Sequence, residues 1–150
     1  MKEVTHRELC LIGAKWLRNK QREKYIIVEI ELANCEQPDI FAFGSWYSKM
    51  IEVKVSRADF LSDKKKWFRQ QPEKGVGQLR YYLCPKDLIR PDELPTNWGL
   101  LYFDGKDIEP IVKAEIQQAN PMTEMKIAAS ILRREGHYNK IFSYKQYKTD

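Results

Sequence analysis

Apolar and polar residues alternate strictly along the segment 50–56, which predicts a β-strand. Because strand side chains point alternately to opposite faces, its three apolar β-branched residues share one face, and Glu52 and Lys54 share the other. A second strand is predicted over residues 39–43. A hairpin between the two strands brings Asp39 close to Glu52.

Hydrophobic periodicity predicts further helices and strands on either side of this hairpin. They are a helix from the capping box Thr5–Glu8 through Leu17, strands over 25–32, 80–84, 98–103 and 107–112, and helices over 56–71 and 122–134. Pro110 places the last strand at a sheet edge, and Gly136 caps the last helix. The order of elements predicts an α/β or α+β fold with a mixed central β-sheet flanked by helices.

The predicted helix 56–71 begins with Ser56 as its N-cap and stops before Pro72. Its apolar side chains are expected to pack on the sheet while its lysines point outward. These apolar residues are Phe60, Leu61, Trp67 and Phe68.

The chain has 150 residues, of which 43% are hydrophobic and 31% charged, and this suits one domain with a core. It contains no apolar run of about 18 residues and no secretory signal, so a cytoplasmic protein without a membrane span is expected. The three cysteines are far apart and form no evident Cys/His cluster, which favours reduced packing cysteines. His6 and His137 are both interpreted as non-catalytic.

The net charge of +5 is distributed unevenly along the chain. Residues 53–80 include eight Lys or Arg and three Asp or Glu, whereas residues 86–124 include four basic and eight acidic residues. A basic flank of this kind suits nucleic-acid binding, although a solvated basic helix explains the same pattern.

Asp39, Glu52 and Lys54 together suit chemistry at a phosphate. Mg²⁺ prefers carboxylate oxygens and keeps several waters, so one or two acidic residues hold it beside a phosphate group. A neighbouring lysine can orient a water or offset charge on a phosphodiester. The competing interpretation is an exposed Glu–Lys pair on a strand, which contributes little to stability.

Asp39, Glu52 and Lys54 also match the motif of a known protein family. Pro38-Asp39, followed after twelve residues by Glu52-Val53-Lys54, resembles the PD-(D/E)xK nuclease superfamily. The segment 52–67 is similar to the MmcB-like DNA-repair branch and its phage relatives, and so are the runs 80–85, 91–95 and 98–102. The resemblance covers about residues 5–112 of a single domain 1–150, and it leaves aside the C-terminal helix and basic tail at 121–150.

The resemblance implies a restriction-endonuclease-like core and a nuclease that acts on DNA in repair, recombination or phage DNA metabolism. Mg²⁺ or Mn²⁺ would be its cofactor, and Lys54 would position or activate the attacking water. The implied metal ligands are Asp39, Glu52, the backbone carbonyl of Val53 and, in the first helix, Glu8. Glu29 and Gln78 are implied as residues that would contact the metal ligands or Lys54 without binding the metal themselves. The basic residues expected to contact nucleic acid are Arg57, Lys64, Lys65, Lys66 and Arg69.

Several alternatives remain open. The carboxylate of Glu8 either caps the first helix or reaches the metal, and Glu29 either supports the site or is a plain exposed strand residue. Gln78 and Tyr82 have the spacing of the helical QxxxY motif of RecB-type nucleases, but the surrounding residues predict a strand. A non-cleaving nucleic-acid-binding or adaptor protein is the main functional alternative, and an RNA-directed nuclease is a weaker one. The oligomeric state is open, a homodimer included.

Overall fold

A six-stranded mixed β-sheet forms the centre of the computed structural model, which describes residues 2–145. The helices are α1 (His6–Asn19), α2 (Arg57–Asp63), α3 (Trp67–Gln70) and α4 (Pro121–Arg134). The strands are β1 (Tyr25–Val28), β2 (Ile40–Phe43), β3 (Lys49–Val53), β4 (Leu79–Pro85), β5 (Gly99–Phe103) and β6 (Ile108–Val112). Short 3₁₀ turns cover Pro72–Lys74 and Pro91–Glu93.

The strands lie side by side in chain order from β1 to β6. β3 pairs with β4 and β4 with β5 in parallel, while the other neighbours are antiparallel. This architecture confirms the predicted α+β fold, the hairpin of β2 and β3, and the position of the Pro110 strand at an edge. In the hairpin Ile40 pairs with Ile51, so the start of β2 lies beside the end of β3.

Each face of the sheet is covered by a hydrophobic cluster. α1 packs on one face, where Leu9 and Leu17 meet Ile51 and Val53. The other face carries a second cluster that includes residues of α2 and α4. The predicted alternation along β3 is thus confirmed, but both of its faces are enclosed. Each large apolar side chain buried in this way contributes about 1.5–3 kcal/mol.

The prediction of one helix over 56–71 is wrong. α2 ends at Asp63 and α3 begins at Trp67, because the side chain of Asp63 is drawn into the interior and the chain turns there. Phe60 and Phe68 are buried as expected, but Leu61 and Trp67 are 48% and 51% exposed.

The first strand is also shorter than predicted. β1 ends at Val28, and Glu29 has a positive φ of 52°, which turns the chain out of the sheet. The backbone N–H of Glu29 then donates to the carbonyl oxygen of Asp39 at 2.8 Å. Glu29 is therefore a turn residue held against the start of β2, and its side chain is directed by that turn rather than by strand alternation.

No helix within residues 2–145 is both long and apolar enough to cross a bilayer. The last helix has Asn120 as its N-cap and Pro121 in its first turn, close to the predicted start. The predicted basic tail lies partly outside the described residues, since they end at 145.

Candidate active site

Asp39 directly precedes β2 and is tied to the end of β3. One of its carboxylate oxygens, Oδ2, accepts a hydrogen bond of 2.8 Å from the backbone N–H of Val53. The N–H and C=O of a strand residue point to the same neighbouring strand, so the carbonyl of Val53 is also directed toward β2. The structure thus brings Asp39, Glu52 and the Val53 backbone to one place, at the edge where the hairpin opens.

Glu52 is enclosed, with an exposed fraction of only 2%. Its Oε1 atom is buried and has no hydrogen-bond partner among residues 2–145. Three cations surround the carboxylate at distances too long for strong hydrogen bonds: Lys54 at 3.5 Å, Arg69 at 3.8 Å and Lys66 at 3.9 Å. Burial and the charge of Asp39 raise the pKa of Glu52 to about 8. A carboxylate in this state is poorly satisfied by the protein and favours an added cation.

Lys54 directly follows β3, and its ammonium group is buried beside Asp63. Its Nζ lies 3.2 Å from Oδ1 of Asp63 and 3.5 Å from Oε2 of Glu52. Its backbone N–H donates to Leu83 of β4 at 2.9 Å, which holds the residue at the sheet. The structure therefore places Lys54 beside Glu52, as the sequence predicts.

Asp63 is the main anion of this interior, and the sequence analysis missed it. It accepts hydrogen bonds from Arg69 at 2.8 Å and from the hydroxyl of Tyr82, and Lys66 lies 2.9 Å away. Burial alone would raise the pKa of Asp63, but the charge of Arg69 and the Tyr82 bond outweigh it and lower the pKa. The available signal was the spacing of Asp63, Lys66 and Arg69 at intervals of three residues.

The predicted nucleic-acid contacts fall into two groups. Arg69 has a side chain only 3% exposed and is bound to Glu36 and Asp63 within the interior. Arg57 forms a two-pronged ion pair with Glu93, with distances of 2.6 and 2.7 Å. Lys65 and Lys66 are exposed after α2, and Lys64 is half-buried with its Nζ 4.6 Å from the centre of the Phe60 ring, so these three provide the basic surface on the side of Glu52.

Two further predicted residues have their side chains engaged elsewhere. Glu8 completes the capping box of α1: its carboxylate accepts from the N–H of Thr5 at 2.8 Å, and its own N–H donates to the Thr5 hydroxyl at 3.1 Å. Gln78 precedes β4 and accepts from the N–H of Ser48 at 3.1 Å, at the opposite end of β3 from Glu52. Tyr82 lies within β4, so the helical QxxxY interpretation is wrong.

His6, which the sequence analysis set aside, lies next to Asp39. Its Nε2 is 3.3 Å from Oδ2 of Asp39, and its Nδ1 is 3.4 Å from Oε1 of Glu29. Cys10, one turn later on α1, has its sulfur 3.7 Å from the His6 ring. The expectation that no Cys/His cluster exists is therefore wrong, and the signal was the i, i+4 spacing of His6 and Cys10 on a helix.

The surroundings of Cys10 are strongly negative. Burial and the charges of Asp39 and Glu29 raise the pKa of the Cys10 thiol to about 12. An open cavity of about 440 Å³ leads to this corner of the molecule, and it is lined by Glu29, Ile30, Glu31, Gln37, Pro38 and Asp39. A cation or a water molecule thus has a route from solvent to Asp39.

Comparisons with known proteins give a fold and no family. No family model matches the chain. Oligopeptidase A of Escherichia coli (strain K12) is 32% identical over 109 residues, which make up 73% of this chain but 16% of that protein. The chain therefore spans about one sixth of the curated relative it matches. The solved structure of the SPO1766 protein of unknown function from Silicibacter pomeroyi has a TM-score of 0.61 and 22% identity, and the match covers 95% of this chain and all of that one.

Proposed function

We propose that this protein is a divalent-metal-dependent nuclease that hydrolyses phosphodiester bonds in DNA, on a restriction-endonuclease-like PD-(D/E)xK core. The observation that carries the proposal is the state of Glu52. Within the described part of the chain its Oε1 is buried without a hydrogen-bond partner, its Oε2 lies 3.5 Å from Nζ of Lys54, and Asp39 is bound to the next residue. A buried carboxylate oxygen without a hydrogen bond lowers stability, and a bound cation would satisfy it.

The donor set fits Mg²⁺ or Mn²⁺. Asp39 and Glu52 offer carboxylate oxygens and Val53 offers a carbonyl directed to the same side, and hard cations prefer oxygen ligands of this kind. A divalent cation bound there lowers the pKa of a coordinated water and stabilises negative charge on a phosphodiester under attack. The acidic groups of Asp39 and Glu52 lie close together, so a cation bound between them offsets their repulsion.

The remaining residues hold and orient the reacting groups. Lys54 presents an ammonium group beside Glu52, where it can donate to the attacking water or to a phosphate oxygen. Asp63 fixes that ammonium at 3.2 Å, so that Lys54 does not swing away when substrate enters. Lys65 is exposed and Lys64 half-buried on the adjacent surface, and both suit contacts with neighbouring phosphates.

The enclosure of Glu52 favours a second candidate function. The carboxylate is almost fully buried and already faces Lys54, Lys66 and Arg69, which partly fill the role of a metal. A non-cleaving nucleic-acid-binding or adaptor protein would keep this scaffold for stability and use only its basic surface. The match to Oligopeptidase A covers only 16% of that protein and is no basis for a peptidase activity here.

A cleavage assay separates the two candidates. End-labelled single-stranded, duplex and branched DNA, with matched RNA, is incubated with the protein in Mg²⁺, Mn²⁺ or EDTA. We expect cutting of DNA that requires the metal and is lost in both Asp39→Asn and Lys54→Ala.

The same two kinds of substitution, Asp→Asn and Lys→Ala, at exposed positions serve as controls. Asp59→Asn and Lys106→Ala change exposed side chains of α2 and the β5–β6 turn, and they should cut like the wild type. DNA binding without cutting in every metal would support the adaptor function instead. Equal cutting by the wild type, Asp39→Asn and Lys54→Ala would show that the activity does not come from this site.

A further inference from the structure

We propose that His6, Cys10 and Asp39 form a binding site for a borderline transition-metal cation, with Zn²⁺ as the ion that best fits the donor set. One ligand atom from each residue lies within 4.8 Å of the other two. The imidazole, thiolate and carboxylate groups are the ligands that Zn²⁺ takes in proteins, whereas Mg²⁺ takes oxygen ligands.

The distance between His6 and Asp39 suits a tetrahedral ion. With metal–ligand bonds of about 2.0–2.3 Å, neighbouring ligand atoms in such a site lie about 3.3–3.8 Å apart. Nε2 of His6 is 3.3 Å from Oδ2 of Asp39 and 4.0 Å from the sulfur of Cys10. The sulfur lies just beyond this range, so the His6 or Cys10 side chain must turn toward the ion for all three ligands to bind.

Glu29 provides an independent indication of a metal site. A histidine that binds a metal through one ring nitrogen usually donates the N–H of the other to a carboxylate, which fixes the tautomer and the ring orientation. His6 has this arrangement: Nε2 faces Asp39, and Nδ1 lies 3.4 Å from Oε1 of Glu29. Glu29 is in turn held by Arg7 and by its left-handed backbone.

The site is accessible to an ion from solvent and offers three protein ligands. The side chains of His6 and Asp39 are 38% and 19% exposed, while the sulfur of Cys10 closes the inner side. Binding releases the Cys10 thiol proton to solvent and leaves a thiolate on the cation. Three protein ligands leave a fourth position free for water, as in zinc sites that are not purely structural.

Asp39 belongs to this set and to the proposed Mg²⁺ set. Zn²⁺ bound to His6, Cys10 and Asp39 therefore withdraws Asp39 from Mg²⁺ and inhibits cleavage, a consequence that rests on the proposed function. The binding of Zn²⁺ itself does not rest on it, because neither Glu52 nor Lys54 takes part.

Absorption of bound Co²⁺ tests the site directly. Metal-free, reduced full-length protein is titrated with Co²⁺, and the near-ultraviolet band from thiolate-to-cobalt charge transfer is recorded. We expect the band to saturate at about one Co²⁺ per chain. It should disappear when Zn²⁺ is added, and it should be absent in Cys10→Ser but present in Cys35→Ser.

Glu29→Gln gives a second test that avoids the buried cysteine. It should keep the band but weaken Co²⁺ binding by about 10–100-fold, because it removes the carboxylate partner of His6 and leaves the three ligands in place. Lys54→Ala should bind Co²⁺ like the wild type. Loss of DNA cleavage and loss of Co²⁺ binding can therefore be distinguished. Circular dichroism of each metal-free variant shows whether it is folded. The proposal is overturned if the wild type shows no band, if folded Cys10→Ser keeps it, or if Cys35→Ser loses it.

Discussion

The carboxylate of Asp39 accepts a hydrogen bond of 2.8 Å from the backbone amide of Val53, the residue between Glu52 and Lys54. One bond thus joins the two halves of the hairpin at the point where the proposed catalytic residues meet. It also directs one oxygen of Asp39 into the sheet, while Nε2 of His6 approaches the same oxygen at 3.3 Å. The orientation of the Asp39 carboxylate is thus set by a backbone amide as much as by a neighbouring side chain.

Glu52→Gln is expected to stabilise the metal-free protein at pH 8. The folded-state pKa of Glu52, about 8, lies above its ordinary value of 4.5, so the folded state keeps a proton that the unfolded chain loses. The stability due to this group is complete below pH 4.5 and is lost as the pH rises toward 8. Glutamine avoids this loss and should raise the free energy of unfolding at pH 8 by at least about 1 kcal/mol.

Urea denaturation at pH 5 and pH 8 measures this difference. Glu109→Gln, on an exposed position of β6, should leave the pH dependence of the wild type unchanged. A lower free energy of unfolding for Glu52→Gln at pH 8 would mean that the carboxylate is needed by its three neighbouring cations.

Asp63→Asn is expected to destabilise the fold by about 3–5 kcal/mol, because it leaves the buried charges of Arg69 and Lys54 without their partner. Equilibrium urea denaturation at pH 7 measures the change. The matched substitution Asp59→Asn, on the exposed side of α2, should shift the free energy by less than about 1 kcal/mol. Equal effects of the two substitutions would contradict the role of Asp63 as the central anion.

Charge reversal at Lys64 and Lys65 is expected to weaken DNA binding. Each phosphate contact that is removed should reduce the slope of log K against log salt by about one. Fluorescence anisotropy with labelled duplex at several salt concentrations measures both quantities. Reversal of Lys106 and Lys113, which changes the net charge equally, is the control, and an equal loss of affinity there would show that only net charge matters.

Glu8→Gln is expected to keep both the fold and metal-dependent cleavage. Glutamine can replace glutamate in the capping box, whereas Glu8→Ala removes the acceptor of the Thr5 N–H and should lower the melting temperature. Thermal melting and the cleavage assay distinguish the two roles that the sequence left open. Loss of cleavage by a stable Glu8→Gln protein would show that this carboxylate turns toward the metal.

Local patterns were sufficient for most of the fold. Strict alternation identified β3 and the faces of Ile51 and Val53, and a capping box identified the start of α1. Proline and glycine positions bounded the last strand and the last helix closely. These features follow from short-range geometry, which depends on the spacing of neighbouring residues and little on the rest of the chain.

Most of the elements and their order follow from the sequence pattern. The hairpin that sets Asp39 beside Glu52 follows from it too, because a hairpin is a local structure whose register depends on its pattern. Tertiary structure alone decided the environment of these carboxylates. Asp63 turned inward and broke a helix that the sequence pattern predicted as continuous, because buried cations require a buried anion. His6 and Glu29 met at Asp39 because α1 packs across the sheet and β1 ends early, and neither contact is visible in residue spacing.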